Sequence, residues 1–163
     1  HAFIKDKARE VKAPFGGELS GHFFFLDNFY GHDDGGYASL RLLDYLTQKG
    51  KILSEVVKSF PKYLSSPEIK IGCPDNVKED VVKRMVEDFK NDFGNVDDLE
   101  GARADFPDGM IIVRFSHNGP YLTVKFEAKD KKVYEERRKY IKELLHRYPE
   151  IDWNSGVNLE EIK

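Results

Sequence analysis

The sequence is poor in the features that would allow a disulfide, a membrane helix or a basic surface field. Cys73 is the single cysteine among 163 residues, so no internal disulfide can form and a reducing compartment is expected. No apolar run approaches the roughly 18 residues that a membrane helix needs, and no basic start with an apolar core marks a signal peptide. The net charge of −3 gives no global basic field for nucleic acid. We therefore expect a cytoplasmic protein that binds neither membranes nor nucleic acid.

The composition is that of an ordinary folded domain, with 40% hydrophobic and 34% charged residues. The length suffices for one domain, or for one small domain plus part of another. The sequence begins with His1 instead of Met, so we expect further residues to precede it.

Residues 1–60 predict helices with too few strands to complete a domain. Two strands with one apolar face are only marginally stable alone. We therefore interpret this part as an incomplete α/β segment, which is completed by missing N-terminal domains of the same chain. An alternative is that its open strand edge pairs with another copy, giving a homodimer. The predicted elements are a short N-terminal helix, strands at 13–17 and 22–25, a helix at 34–48 with an apolar stripe of Tyr37, Leu40, Leu43 and Leu46, and a shorter helix at 52–59.

Residues 61–163 predict a second domain, because the prolines and serines at 61–67 interrupt the helical pattern. Asn76 with Glu79 resembles a capping box that opens a helix ending at Gly94. The predicted elements are a strand at 68–73, this helix, strands at 101–106, 110–115 and 121–127, and a helix at 130–147. The predicted fold class is therefore α+β, with a C-terminal antiparallel four-stranded sheet covered by two helices and preceded by the incomplete α/β segment.

A first group of polar residues, Glu18, Ser20 and His22, recurs at every second position beside a glycine-rich turn. In an extended segment these side chains would share one face. A carboxylate accepts hydrogen bonds from neighbouring hydroxyls, serine donates or accepts, and a cationic histidine holds a phosphate, which together suit a sugar phosphate. The alternative is a glycine turn with a capping serine and a structurally bonded histidine.

A second group is the segment R-F-S-H-N-G-P at 114–120, between two strong strand patterns. Arginine binds phosphate in a bidentate fork, and a tight loop can direct backbone N–H groups at an anion. The alternative is a simple hairpin turn, since Asn-Gly is the strongest short hairpin signal.

A third group is Y-G-H-D-D-G at 30–35, whose histidine and two aspartates invite a metal-site interpretation. Helix capping and the helix dipole explain the aspartates better, because a helix is predicted to begin there. No second cluster in the sequence supplies further ligands. We therefore predict no metal site in this chain.

Three blocks of the sequence resemble one family, the α-D-phosphohexomutases of the phosphomannomutase/phosphoglucomutase type. G-G-E-L-S-G-H-F-F-F at 16–25 resembles the family's sugar-binding loop, and F-Y-G-H-D-D-G-G-Y-A-S-L-R-L-L at 29–43 looks like its continuation. R-F-S-H-N-G-P-Y-L-T-V-K-F-E-A at 114–128 is similar to the phosphate-binding loop. The order and spacing of the blocks cover nearly the whole chain, which makes the joint resemblance far more specific than either loop alone.

The resemblance implies an arrangement of four domains, of which residues 1–60 form the end of the third and residues 61–163 the fourth. It implies that Glu18 and Ser20 bind sugar hydroxyls, and that His22 and His1 lie in the active-site cleft.

The same resemblance implies that Arg114 and Ser116 belong to a phosphate clamp. His117 and Asn118 stand where the family usually has Asn and Thr, and Gly119 takes the next place. Ser116-His117-Asn118 also imitates the family's phosphorylated serine motif, but its flanking residues differ, and we predict no catalytic residue in this chain.

The activity implied is interconversion of hexose 1-phosphate and hexose 6-phosphate through a phosphoserine and a bisphosphorylated intermediate. The full-length enzyme would use Mg²⁺ and a hexose bisphosphate activator, and neither the serine loop nor the magnesium loop occurs in this sequence. The alternatives are a phosphoglucosamine mutase fragment, a non-catalytic module that binds sugar phosphates, or an interaction domain related to the family by descent.

Overall fold

The computed structural model of the protein describes residues 2–18 and 20–163, with side chains from Ile4 onward. The described residues divide into two compact units, one ending at Phe60 and the other spanning Pro61–Lys163. Within the described part of the chain, no helix has the length and apolar character needed to cross a membrane.

Over residues 2–18 and 20–60, the first unit contains three helices and one short antiparallel strand pair. Its elements are α1 (Ala2–Glu10), β1 (Phe15–Gly17), β2 (Phe23–Phe25), α2 (Gly35–Lys49) and α3 (Leu53–Lys58). β1 pairs with β2 so that Gly16 lies opposite Phe24, and the Phe24 side chain is fully buried. A side chain at Gly16 would contact the Phe24 ring and Ile4, so the glycine permits the close approach of α1 to the strand pair.

Both ends of α2 follow the expected chemistry, but its apolar stripe is not buried. The Asp34 carboxylate caps the N-terminus by accepting the Tyr37 N–H at 2.8 Å, and Gly50 ends the helix with φ of +60°. Leu40 and Leu43 are 66% and 59% exposed. The stripe predicted for this helix therefore lies on the surface of the first unit.

The second unit is an antiparallel sheet with two long helices. Its elements are β3 (Leu64–Ser65), β4 (Ile69–Gly72), α4 (Lys78–Phe93), β5 (Ala102–Phe106), β6 (Gly109–Phe115), β7 (Tyr121–Ala128), α5 (Lys131–His146), β8 (Asp152–Val157) and a 3₁₀ turn (Leu159–Glu161). The sheet has six strands in the order β5-β6-β7-β4-β8, with β3 also paired to β7. The predicted fold class is confirmed, and two strands that were not predicted, the two-residue β3 and the six-residue β8, extend the sheet.

One hydrophobic core fills the space between the sheet and the two helices. Val81, Met85 and Phe89 of α4 are buried there, as the helical spacing predicts. The neighbouring strand residues Ile71 and Val113 belong to the same core. Because side chains alternate along a strand, the intervening residues of β4, β6 and β7 lie on the opposite face of the sheet.

The capping box predicted for α4 is wrong. Val77 occupies the N-cap position and no side chain caps the helix. The N–H groups of Val77 and Lys78 instead donate to the carbonyl of Pro74 at 3.1 and 3.0 Å. A backbone turn thus satisfies donors that the capping box would have served.

Candidate functional site

Backbone hydrogen bonds of Glu18 with Gly21 and His22 form a turn, and the extended alternation predicted for Glu18, Ser20 and His22 is wrong. The Glu18 N–H donates to the His22 carbonyl at 2.9 Å, and the Gly21 N–H donates to the Glu18 carbonyl at 3.0 Å. Gly21 has φ of +87°, a conformation that favours glycine. Two backbone hydrogen bonds and this glycine therefore close the loop between β1 and β2, which we call the 18–22 loop.

The turn still brings two of the predicted sugar-binding side chains together. The Ser20 hydroxyl donates to Glu18 Oε2 at 3.1 Å. Ser20 is exposed and Glu18 is half-buried. A carboxylate and a hydroxyl joined in this way offer both acceptors and a donor to a polyhydroxylated ligand. The predicted site residue His1 lies outside the described residues.

His22 is held by Asp33, a contact that the sequence did not predict. The imidazole Nδ1–H donates to Asp33 Oδ2 at 2.5 Å, because an ionised carboxylate can only accept. The Phe23 N–H donates to the other carboxylate oxygen at 3.2 Å. Asp34 caps α2 as predicted, whereas Asp33 fixes the orientation of the His22 ring.

The hydrogen bond from His22, with a further bond from the Phe23 N–H, lowers the pKa of the Asp33 carboxyl below its ordinary value. Its folded-state pKa therefore lies below the unfolded value, so the pair stabilises the fold above the unfolded pKa. This contribution is lost as the pH falls through the folded pKa.

We predict that His22→Ala raises the pKa of Asp33 towards its ordinary value of about 3.9. The substitution removes the hydrogen bond from His22, which is the largest cause of the lowered pKa. The measurement is an NMR titration of the carboxyl carbon of Asp33. Asp27 is an internal control, since Arg41 is the main cause of its own lowered pKa. An unchanged Asp33 pKa in the variant would show that the contact with His22 does not form in solution.

The side chains of the 30–35 segment are not arranged as a group of metal ligands. The His32 ring packs on aromatic neighbours, with its centroid 5.8 Å from that of Tyr30 and 6.3 Å from that of Phe29. Throughout residues 2–18 and 20–163, the structure holds no group of three or more His, Cys, Asp or Glu side chains placed to bind a metal ion.

Residues 116–120 join β6 to β7 in an antiparallel hairpin. We use the name 114–119 loop for residues 114–119, which include the last two residues of β6. The Ser116 N–H donates to the Tyr121 carbonyl at 3.0 Å, and the Tyr121 N–H donates to the Gly119 carbonyl at 2.9 Å. The Asn118 N–H donates to Ser116 Oγ at 3.0 Å. Ser116 is only 8% exposed, so its side chain is fixed at the base of the loop.

A cavity of about 200 Å³ opens beside this loop, entirely within the second unit. The loop and the end of β6 contribute Arg114, Phe115, Ser116, His117 and Asn118 to its wall, and β4, β7 and the residue before β4 contribute Glu68, Lys70, Tyr121 and Thr123. The structure thus brings together four of the five predicted phosphate-binding residues.

The fifth predicted residue, Gly119, lies in the loop but not in the cavity wall. Its carbonyl accepts a hydrogen bond from the Lys78 ammonium group at 2.9 Å. A side chain at this position would come within 2.7 Å of the Tyr121 ring. Gly119 therefore allows the loop to turn closely past that ring.

The charges in the cavity are only loosely neutralised. Arg114 Nη1 lies 3.8 Å from Glu100 Oε2, and Lys70 Nζ lies 3.6 Å from Glu68 Oε1. All four side chains are more than a third exposed, where ion pairs contribute little. Both cations can therefore exchange these partners for a bound anion.

Sequence reasoning missed the cavity residues that come from β4 and β7. Arg114 pairs with Thr123 across β6 and β7, and Thr123 pairs with Lys70 across β7 and β4. The hairpin signal at Asn118-Gly119 could have indicated Thr123 as the partner of Arg114. Nothing in the sequence showed that β4 pairs with β7, so Lys70 could not be placed.

Comparison with known proteins matches each part of the chain to the same family. The description "Phosphoglucomutase/phosphomannomutase, alpha/beta/alpha domain III" matches residues 1–63, and "Phosphoglucomutase/phosphomannomutase, C-terminal domain" matches residues 68–144. A crystal structure of a phosphoglucomutase/phosphomannomutase family protein from Burkholderia thailandensis superposes with a TM-score of 0.77 at 33% identity, covering 90% of this chain and 31% of that protein.

Curated relatives agree with this assignment. A phosphomannomutase/phosphoglucomutase from Pseudomonas aeruginosa is 38% identical over 128 residues, 78% of this chain and 28% of the relative. A phosphoglucomutase from Neisseria meningitidis is 32% identical over 157 residues, 94% of this chain and 34% of the relative. The chain therefore spans about a third of the length of these relatives. From these matches, and from a fold that agrees with them, the chain belongs to the phosphoglucomutase/phosphomannomutase family.

Proposed function

We propose that this chain supplies the sugar-hydroxyl loop and the phosphate clamp of a phosphomannomutase/phosphoglucomutase. The enzyme would interconvert hexose 1-phosphate and hexose 6-phosphate through a phosphoserine and a bisphosphorylated intermediate. The observation that carries the proposal is the cavity beside the 114–119 loop, where Arg114 stands with Ser116 and other polar groups. The proposal assigns residues 1–60 to the third domain of such an enzyme and residues 61–163 to the fourth.

The clamp is proposed to bind the phosphate group that is not reacting. Arg114 carries N–H donors in the fork geometry that matches phosphate oxygens. Ser116 Oγ already accepts the Asn118 N–H, so its own hydroxyl hydrogen can be donated to a phosphate. His117 and Asn118 add side chains that line the same cavity.

The 18–22 loop is proposed to bind the sugar ring. Glu18 and Ser20, joined by their hydrogen bond, would accept from and donate to neighbouring ring hydroxyls. His22, oriented by Asp33, would present its imidazole to the ligand. We assign no proton transfer to His22.

Binding the phosphate with one loop and the sugar ring with the other suits a substrate that binds in two opposite orientations. When the bisphosphate turns over, either phosphate can occupy the clamp, because a phosphate presents equivalent oxygens to Arg114. Neighbouring ring hydroxyls can likewise exchange places at a carboxylate and a hydroxyl. Neither loop therefore needs to be rebuilt between the two half-reactions.

The implied Mg²⁺ does not fit the described residues, which hold no group of three candidate ligands. We assign no step of the reaction to a metal in this chain. Mg²⁺ and a hexose bisphosphate activator belong to the proposal for the whole enzyme only. The proposed partners are hexose phosphates and the N-terminal domains of the same protein, with a homodimer of this chain as the alternative occupant of the strand edge in the first unit.

A second candidate is phosphoglucosamine mutase. A phosphoglucosamine mutase from Methanococcus maripaludis is 33% identical over 129 residues, 78% of this chain and 28% of the relative. The two functions differ at the C2 substituent of the sugar, so competition between glucose 1-phosphate and glucosamine 1-phosphate for the whole enzyme would separate them.

We predict that Arg114→Ala abolishes the phosphate-dependent shifts of the chain in an NMR titration, whereas Glu18→Ala leaves binding of inorganic phosphate unchanged and alters selectivity among hexose phosphates. Charge-assisted hydrogen bonds contribute roughly 1.5–3 kcal/mol each, and association costs an estimated 4–15 kcal/mol. Affinity for glucose 1-phosphate should therefore be about millimolar or weaker. If Arg114→Ala titrates like the parent, the 114–119 loop is only a hairpin and the clamp assignment fails.

A further inference from the structure

The strand register places three polar side chains in one row across the middle of the second unit. Lys70 of β4 lies opposite Thr123 of β7, and Thr123 lies opposite Arg114 of β6. Residues directly opposite each other on neighbouring antiparallel strands project from the same face. All three side chains line the cavity, on the face of the sheet that α4 and α5 do not cover.

Thr123 is the centre of this row. The residue is only 8% exposed, yet its side chain lines the cavity. Within the part of the chain that the structure describes, its hydroxyl makes no hydrogen bond, whereas the Ser116 hydroxyl nearby does. A hydroxyl that faces the cavity without a protein partner is free to donate to an anion bound there.

The two flanking cations are spaced to hold one anion between them. Neighbouring strands lie about 4.8 Å apart, so Lys70 and Arg114, two strands apart, are separated by roughly 10 Å at the backbone. Long basic side chains can close this distance around a phosphate. The Lys70 ammonium group lies 5.2 Å from the centroid of the Tyr121 ring, a cation–π contact with a residue that also lines the cavity.

We propose that Lys70 and Thr123 are two further phosphate-binding groups, so that the phosphate is held between two cations and above a hydroxyl. The inference rests on the proposed function, because it adds contacts to the same clamp. It also assigns a role to Glu68, whose carboxylate lies 3.6 Å from the Lys70 ammonium group. This carboxylate competes with phosphate for Lys70, and it is exposed enough to move away when an anion binds.

The test compares single variants of the 163-residue chain in NMR titrations with inorganic phosphate and with glucose 1-phosphate at low salt. Lys70→Met keeps the apolar stem and removes the charge, and Thr123→Val keeps the shape and removes the hydroxyl. Each lost contact should weaken binding about tenfold to 150-fold, as expected for one hydrogen bond to a charged group. Glu68→Gln should strengthen binding about twofold to threefold, because an exposed competing charge is removed.

Lys125→Met is the matched control. Lys125 lies two residues beyond Thr123 on the same face of β7, opposite Ile112. If phosphate contacts only the row of Lys70, Thr123 and Arg114, removing the Lys125 charge should change phosphate affinity less than twofold. Lys70→Met and Thr123→Val variants that keep the parent spectrum but bind both ligands like the parent would overturn the inference. If Arg114→Ala still loses binding in that case, the proposed clamp stands. If Arg114→Ala also binds like the parent, the proposed clamp fails as well.

Discussion

The purified 163-residue chain is expected to give no phosphoglucomutase or phosphomannomutase turnover. The reaction implied by the family resemblance needs a phosphorylated serine and a metal loop, and the sequence contains neither motif. The one serine in a similar setting is Ser116, which is 8% exposed and accepts the Asn118 N–H. The hydroxyl oxygen accepts its hydrogen bond from a backbone N–H, which cannot take up the hydroxyl proton as a general base would.

The measurement is a coupled assay with glucose 1-phosphate or mannose 1-phosphate, in the presence of Mg²⁺ and the hexose bisphosphate. Typical enzymes turn over at about 1–10³ s⁻¹, so a trace of host mutase could imitate activity. Ser116→Ala separates the two sources, because a contaminant is unaffected by a change in this chain. Turnover that exceeds the blank and disappears in Ser116→Ala would contradict the prediction, because it would place the activity in this chain.

Local signals in the sequence predicted the elements whose structure depends on near neighbours. Asp34 caps the first turn of α2 as predicted, and α4 ends before Gly94, as the sequence predicted. Each of these features is decided by residues within a few positions, so periodicity and turn chemistry suffice to find it.

Features that depend on distant residues could not be predicted. β8 pairs with β4 although more than 80 residues separate Ile71 from Gly156, and the sequence of β8 lacks the alternation typical of a strand. Arg137 is 7% exposed and donates to the carbonyl of Glu127 and to the Asp108 carboxylate. A charge in a helix pattern normally indicates solvent exposure, and only the fold shows that this arginine reaches back to the β5–β6 turn.

The candidate site likewise combines residues that local patterns predict with residues that only distant contacts place. Arg114 and Ser116 were found from a loop motif, because the loop is continuous in sequence. Lys70 and Thr123 enter the site through strand register, which the sequence left undetermined for β4. The relation of His22 to Asp33 was missed for a related reason: the two residues belong to different local patterns, a glycine turn and a helix start, and the fold joins them.

Phe126→Ala is expected to destabilise the second unit by about 3–5 kcal/mol and to leave the first unit unchanged. Phe126 has no exposed surface, lies on β7 between β6 and β4, and packs its ring 5.0 Å from that of Tyr134 on α5. Removing the ring leaves a cavity where sheet and helix meet. A domain is typically stable by about 5–15 kcal/mol, so the loss is a large part of the total.

Two measurements distinguish unfolding of the second unit from unfolding of the first. Trp153 is the single tryptophan of the chain and belongs to the second unit, so its fluorescence during urea unfolding reports that unit alone. With an m-value of about 1–3 kcal/mol per molar urea, the midpoint should fall by about 1 M or more.

Hydrogen exchange of the most protected amides in the second unit should accelerate by roughly two to three and a half orders of magnitude, at 1.36 kcal/mol for each factor of ten. Amides of β2 and α2 should keep their parent rates, because those elements belong to a separate compact unit. Phe23→Ala is the control, since that side chain is 37% exposed and its removal should leave the Trp153 transition in place. Equal acceleration in both units after Phe126→Ala would show that they unfold as one cooperative structure.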